Sequence, residues 1–261
     1  MTEWFLGTMG FSYRQWVGPF YPDGLNARHH LPYYAERFNG LEIDSTFYGT
    51  PKASTVQRWH DITPHDFRIC PKMPRTITHQ ARLLQANDLT EEFLERMRLL
   101  KAKLGPILIQ FPPDFSQAEV SSLIHYLPTL PDDLRFAVEF RHRSWNKPET
   151  AVLLEAHNLC WASTDSVYMP RQIMPTTDFL YLRFIGPHGR FPTKDRTLVD
   201  RTADLQTWSQ ELQPYLQGAN AIYAFFNDDY EGFSPATCNR FKRIIGLEPD
   251  EIRPMQQGRL F

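Results

Sequence analysis

Short apolar runs alternate with stretches of helical periodicity along the whole chain, a pattern that predicts strands separated by helices. Eight runs read as strands: Trp4–Thr8, Leu41–Asp44, Phe67–Lys72, Pro106–Phe111, Arg135–Arg141, Leu159–Asp165, Phe179–Phe184 and Ile222–Asn227. Most are followed by a loop rich in Gly, Pro, Ser or Asn. Between them, Leu31, Tyr34, Ala35 and Phe38 recur at helical spacing over Arg28–Phe38. Thr50-Pro51 opens a helix toward His60, with proline at the first helical position. Asp88 and Glu91 have capping-box spacing ahead of Phe93, Leu94, Met97, Leu100 and Leu104. Ser116 with Glu119, and Asn146 with Glu149, open two more helices. Thr202–Leu216 and Ser234–Ile245 supply the last two, with Pro214 expected to end its helix early and Gly246 to stop the final one. Ser166–Asp178 is too short and proline-broken for a full helix.

Strands alternating with helices imply a parallel sheet buried on both faces. Eight such units within 261 residues favour a single-domain α/β fold over residues 1–261, a (β/α)8 TIM-like barrel whose helix after strand six is short or missing. The competing open doubly wound sheet would carry a glycine-rich phosphate loop after its first strand. Here Phe11 follows Gly7 and Gly10, and no G-x-G-x-x-G occurs.

Alternation within each strand decides which side chains face a barrel interior. In strand five, Phe136, Val138 and Phe140 share one face, and Ala137, Glu139 and Arg141 the other. The bulky apolar set suits the helix layer, so Glu139 and Arg141 point inward. The same reading turns inward Glu42 and Asp44, Cys70 and Lys72, Gln110, Tyr181 and Arg183, and Tyr223, Phe225 and Asn227. Strand one ends in Thr8 and strand six in Asp165. Nearly every strand thus delivers a polar group near its C-terminal end, the face that carries the active site in barrel enzymes. Burying such charges is costly unless they are paired. They therefore form either a ligand site or a closed ion network that fixes the register of the sheet.

Aromatic residues follow several strands: Phe11, Tyr13, Trp16, Phe20 and Tyr21, then Phe47 and Tyr48, Trp145, Tyr168 and Phe191. On a charged rim they suit stacking on a sugar or base. The alternative is that they cover loop backbone. His79 and His188 sit on loops at the same face, where a histidine can move protons near neutral pH.

Charge and cysteine content narrow the classes. A net charge of −2 gives no global basic field, so nucleic acid is not the favoured partner. Three widely spaced cysteines with no C-x-x-C pair fit neither a disulfide framework nor a zinc ribbon. No run is long and apolar enough for a membrane span, and no leader precedes the first strand, so a cytoplasmic location is expected. A metal held by Glu42, Glu139 and Asp165 with His79, His142 or His188 is disfavoured, because Lys72, Arg141 and Arg183 already balance the carboxylates. No Walker-type loop is present. Cofactor and oligomeric state are left open.

The segments Phe11–Pro22, Phe38–Pro51, Phe67–His79, Leu104–Pro113, Phe136–Trp145 and Tyr223–Asp228 together resemble the YecE-like family, a domain of unknown function, across nearly the whole chain. The resemblance implies a TIM-like barrel and carries over Glu42, Thr46-Phe47-Tyr48, Lys72, His79, Gln110, Glu139, Arg141, Ser144-Trp145, Asp165, Arg183 and Asn227. Met9-Gly10-Phe11 departs from the family's common serine-glycine-tryptophan opening. The family's likeness to metal-dependent endonucleases is fold analogy only.

The expectation is an enzyme, a hydrolase or lyase acting on an anionic, ring-containing small molecule such as a glycoside or phosphoester. Glu139 is expected as the catalytic carboxylate with Glu42 as its partner, supported by Lys72 and Asp165. Lys72, Arg141 and Arg183 would hold the anion, Gln110 and Asn227 orient hydroxyls, His79 move a proton, and Tyr48 and Trp145 stack on the ring. The alternatives are a metal-dependent, DNA-binding endonuclease-like enzyme and a non-catalytic metabolite-binding protein.

Overall fold

The computed structural model describes residues 2–250. Its strands are β1 (Glu3–Met9), β2 (Gly40–Ile43), β3 (Arg68–Pro71), β4 (Ile107–Gln110), β5 (Phe136–Glu139), β6 (Cys160–Trp161), β7 (Ser163–Asp165), β8 (Phe179–Phe184) and β9 (Ala221–Phe226). They form a six-stranded sheet in the order β3-β2-β1-β9-β8-β7 and a three-stranded sheet β4-β5-β6. All pairings are parallel.

Two places join the sheets. The predicted sixth strand runs as β6 and β7, broken at Ala162. Its first half pairs with β5 and its second with β8, while the Ala162 N–H donates to Val138 O at 2.9 Å. On the other side, Met73 N donates to Leu108 O at 2.8 Å and Gly105 N to Ile69 O at 2.8 Å, bringing the end of β3 against β4. A compact interior cluster draws alternate residues from strands of both sheets: Phe5, Met9, Cys70, Leu108, Ala137, Cys160, Tyr181 and Phe225 among them. The opposite faces, with Leu6, Ile69, Ile109, Val138 and Leu182, pack against the helices in a larger cluster. Apart from β2, whose interior side chain is Glu42, and the polar β7, the strands are therefore apolar on both faces, as parallel sheets covered by crossovers require.

The helices are α1 (His30–Ala35), α2 (Ala53–Ile62), α3 (Asn87–Met97), α4 (Val120–Tyr126), α5 (Pro148–Ala156), α6 (Thr202–Leu212), α7 (Asp228–Glu231) and α8 (Ser234–Ile244). No helix spans 166–178. Pro214 converts the end of α6 to a 3-10 turn over Gln213–Tyr215. Ser116 and Glu119 make a full capping box. Three helix starts differ from expectation. α2 begins after Pro51, with Lys52 as its cap residue; α3 starts from Ala86 without a side-chain cap; α5 starts at Pro148, with Lys147 as cap residue. Proline needs no N–H partner in the first turn, which draws the start of α5 to Pro148. None of the described helices is long and apolar enough to cross a membrane.

Candidate functional site

Interior-facing positions near the strand C-termini bring Glu42 of β2, Glu139 of β5 and Arg183 of β8 into direct contact. Arg183 Nη2 donates to Glu42 Oε1 at 2.6 Å and its Nε to Glu42 Oε2 at 2.9 Å. Its Nη1 donates to Glu139 Oε2. Tyr181 OH, two residues back on the same face of β8, donates to Glu42 Oε2 at 2.8 Å. Arg141 Nε closes the chain on Glu139 Oε1 at 2.6 Å. The planar guanidinium suits this bridging role because its donors are fixed in a fork.

Burial is nearly complete: Glu42, Glu139 and Arg183 expose 0%, 1% and 3%. The environment separates the two carboxyls. Burial raises both, but Arg183, Arg141 and Lys72 together overcome it at Glu139 and hold that group down at about 2. Glu42 sits above the usual carboxylate range, because burial outweighs Arg183 and Tyr181. Glu139 is thus an ionised carboxylate with both oxygens engaged. That geometry orients Arg141 and Arg183, and it leaves Glu139 poorly suited to give or take a proton.

Above this saturated centre the chemistry changes. Arg141 uses only Nε within the protein; among the described residues its two Nη atoms have no hydrogen-bond partner. Its guanidinium lies 4.9 Å from the Tyr168 ring centroid and its side chain keeps 19% exposure. Lys72, just past β3, makes no side-chain hydrogen bond among the described residues. Its Nζ is 3.7 Å from Asp44 Oδ1 and 4.3 Å from the centroid of Phe47. Burial lowers its pKa, with Arg183 and Arg141 adding to the shift and Asp44 and Glu139 opposing it. His79 packs edge-on against Phe47 at 4.8 Å, and its Nδ1 is 2.8 Å from Thr78 Oγ1. Burial, then the cations Lys72, Arg141 and Arg75, hold it down at about 4, so the imidazole is neutral at neutral pH. It rides on a π-helical turn, Thr76–Gln80, followed by Arg82, Leu83 and Gln85 at positive φ (51°, 69° and 52°). Three non-glycine residues in that conformation are strained, and such strain concentrates where a segment is held for function. Arg82 anchors the segment through Glu119 at 2.5 Å and Asp114 at 3.2 Å.

Several expected site residues lie elsewhere. Asp165 faces the helix layer, where its Oδ2 accepts from Trp208 Nε1 at 2.9 Å and Tyr230 OH at 2.8 Å and its Oδ1 from Arg201 Nη2 at 3.2 Å. No hydrogen bond or ion pair among the described residues joins it to the Glu42–Arg183–Glu139 chain. Thr8 likewise bonds to Tyr34 of α1. Trp145 is fully buried, stacked 4.5 Å from Phe140, and donates to Phe115 O at 2.8 Å, so it is core and cannot stack on a ligand. Trp16, Phe20 and Tyr21 are buried too, whereas Tyr48 is 76% exposed and Phe47, Tyr168 and Phe191 are half-buried. Gln110 is buried and its amide donates to Phe111 O. Asn227 caps α7 by accepting from Asp229 N at 2.9 Å. His188 is almost fully exposed and His142 bonds its own turn through Ser144. Among the described residues no group of three or more His, Cys, Asp and Glu is placed to hold a metal ion, and all three cysteines are free and buried.

Sequence reasoning missed a second charged sector around α7. Arg201 stacks 3.9 Å over Tyr230, its N–H donates to Glu231 Oε1 at 2.7 Å, and Arg240 also donates to that oxygen. Asp229 Oδ2 accepts from Gly189 N at 2.9 Å. Gly186 adopts φ +70°, and a Cβ there would fall 2.3 Å from Asp229 O, so the loop after β8 needs glycine to reach this helix. A four-residue helix carries no periodicity, which is why its acids gave no signal.

The fold defines a class, α/β proteins built on parallel strands, and in this chain the strand C-termini carry a buried Glu–Arg–Glu chain. Within that class this chain belongs to the DUF72 family, described as proteins of unknown function, whose profile matches residues 5–259. It is 38% identical over 138 residues to UPF0759 protein YecE of Escherichia coli K12, a match covering 53% of this chain and 48% of that protein. The match thus spans about half the length of that relative. UPF0759 protein YunF of Bacillus subtilis is 23% identical over 263 residues, covering 90% of this chain and 93% of that protein. A crystal structure of a DUF72-family protein from Thermotoga maritima superposes with a TM-score of 0.81 at 27% identity, covering 93% of this chain and 99% of that one. A second, from Enterococcus faecalis, gives 0.77 at 22% identity, covering 97% and 99%, and supports the fold alone.

Proposed function

We propose that the two sheets close into one eight-stranded TIM-like barrel, and that its C-terminal mouth is an anion-binding active site. The observation that carries the reading is the set of unused donors on Arg141 and Lys72, with Arg141 held in place by Glu139, whose two oxygens are both engaged. A protein that needed only charge balance would pair those donors as completely as it pairs Arg183. A phosphate or carboxylate group satisfies both: Arg141 offers two parallel N–H groups and Lys72 a point charge. Tyr48, Phe47 and Tyr168 offer aromatic surface for a sugar or base ring.

In this reading the protein is a hydrolase or lyase of a small anionic, ring-containing molecule. Neutral His79, beside both cations, meets the substrate as an unprotonated imidazole; burial and those cations make it a weak base, so it accepts a hydrogen bond or passes a proton on rather than holding one. Glu139 and Glu42 act by positioning Arg141 and Arg183. Asp165, Trp145 and Gln110 serve the scaffold. A thermal-shift and turnover screen of phosphomonoesters and carboxylated sugars, run on the wild type and Arg141→Gln, tests it. Hits lost in Arg141→Gln support the reading, and hits that persist unchanged in that variant, or none in the wild type, refute it. The engaged state of both glutamates also suits a second reading, a non-catalytic metabolite sensor. That reading predicts stabilisation without turnover.

A further inference from the structure

Lys72 is out of place in a site built from saturated charges. A buried ammonium has three donors, and here none meets an acceptor among the described residues. The nearest anion, Asp44 Oδ1, lies 3.7 Å away and is itself a buried oxygen with no hydrogen-bond partner. The pair stays open, whereas the more deeply buried Arg183–Glu42 pair closes to 2.6 Å. The pair is held apart, with the Phe47 ring 4.3 Å from Nζ. Two guanidinium groups, Arg183 and Arg141, act on the same ammonium, and its side chain keeps 10% exposure. Desolvation and neighbouring cations are the conditions under which a lysine amine becomes a nucleophile toward carbonyl carbon.

We propose that Lys72 forms an imine with the carbonyl carbon of an anionic aldehyde or ketone, such as the open-chain form of a sugar phosphate, whose anionic group rests on Arg141. This rests on the anion-binding reading above and names the substrate class. Asp44 Oδ1 receives the ammonium proton, freeing the nitrogen lone pair to form the C–N bond. Asp44 returns that proton to the carbonyl oxygen to give a carbinolamine hydroxyl, then takes a second proton from the nitrogen and passes it to that hydroxyl, which leaves as water. In sum, ammonium and carbonyl give a protonated imine and one water, with no net proton change and no oxidant. The imine is an electron sink, which suits cleavage or isomerisation next to the former carbonyl and favours the lyase branch.

The test uses the full chain with glycolaldehyde phosphate and sodium borohydride, followed by peptide mass mapping. Lys72 is expected to be trapped at least about tenfold faster than the exposed Lys52, Lys101 and Lys147. Saturating inorganic phosphate is expected to slow that trapping and leave the exposed lysines unaffected. Lys72→Arg, which keeps the charge, removes the fast adduct. Trapping at Lys72 no faster than at the exposed lysines overturns the proposal, and needs no variant to fold. Phosphate binding measured separately by calorimetry tells the two ideas apart. Binding without a fast Lys72 adduct sinks the imine and leaves the anion site standing. A fast adduct indifferent to phosphate keeps the nucleophile and overturns Arg141 as the anion seat.

Discussion

Two groups of charges sit one above the other at the strand ends, and they differ in how fully they are used. In the lower group, Glu42, Arg183 and Glu139 share four hydrogen bonds and expose almost nothing. In the upper group, the Lys72 ammonium makes none among the described residues, and Arg141 spends one of its donor nitrogens on the lower group and has two without a partner among the described residues. Composition does not distinguish them, since each contains cations with carboxylates nearby. Connectivity does. The lower group ties β2, β5 and β8 together, and the upper group keeps donors with no partner among the described residues, where the proposed ligand would sit. Buried ion pairs add little net stability over well-packed apolar replacements, which suits a layer whose task is to aim its neighbours.

The comparison breaks most visibly at Arg183. Arg183→Met leaves two buried carboxyls without their bridge, and a loss of about 3–5 kcal/mol is expected by urea denaturation. Adding Glu42→Gln and Glu139→Gln to that variant should restore a good part of it, because no unpaired charge remains. A loss under about 1 kcal/mol for Arg183→Met would place the lower group with solvated surface pairs. Next in size is Glu139→Gln, expected to cost about 1–3 kcal/mol and to loosen Arg141. Its stability deficit should shrink on acidification, since the native advantage of Glu139 exists above the ordinary carboxyl range near 4.5 and fades as the pH falls toward about 2.

The smallest effect belongs to the rim. His79 is held near 4 from an ordinary 6.5, so the unfolded chain takes up its proton first on acidification. Its contribution is fully present above pH 6.5 and is lost as the pH falls toward 4. His79→Gln should therefore flatten the stability profile across that window and change little at neutral pH. An unchanged slope would mean that neither burial nor the neighbouring cations depress the imidazole.

Much of the lower group was legible in the residue order. Period-two alternation turned Glu42, Glu139, Tyr181 and Arg183 to one side, because bulky apolar residues occupy the other face of each strand. The same parity, applied strictly, turns Asp165 and Thr8 outward. Asp165 shares its face with Trp161, while Cys160 and Ala162 line the interior. Taking the last polar residue of a strand as inward, without counting from the interior residues, misplaces both. Trp145 was illegible for a different reason: it follows β5 as a rim residue would, yet a 3-10 turn over Arg143–Trp145 folds it back onto Phe140. Which donors stay unused was also beyond sequence, since that depends on distances across strands far apart in the chain.

The most direct measurement is calorimetric titration of inorganic phosphate into the wild type and into Arg141→Gln, at matched folded stability. The account predicts saturable binding by the wild type and an affinity about ten- to a hundredfold weaker once the free guanidinium edge is gone. Equal affinity in the two proteins, or no binding in either, would contradict it.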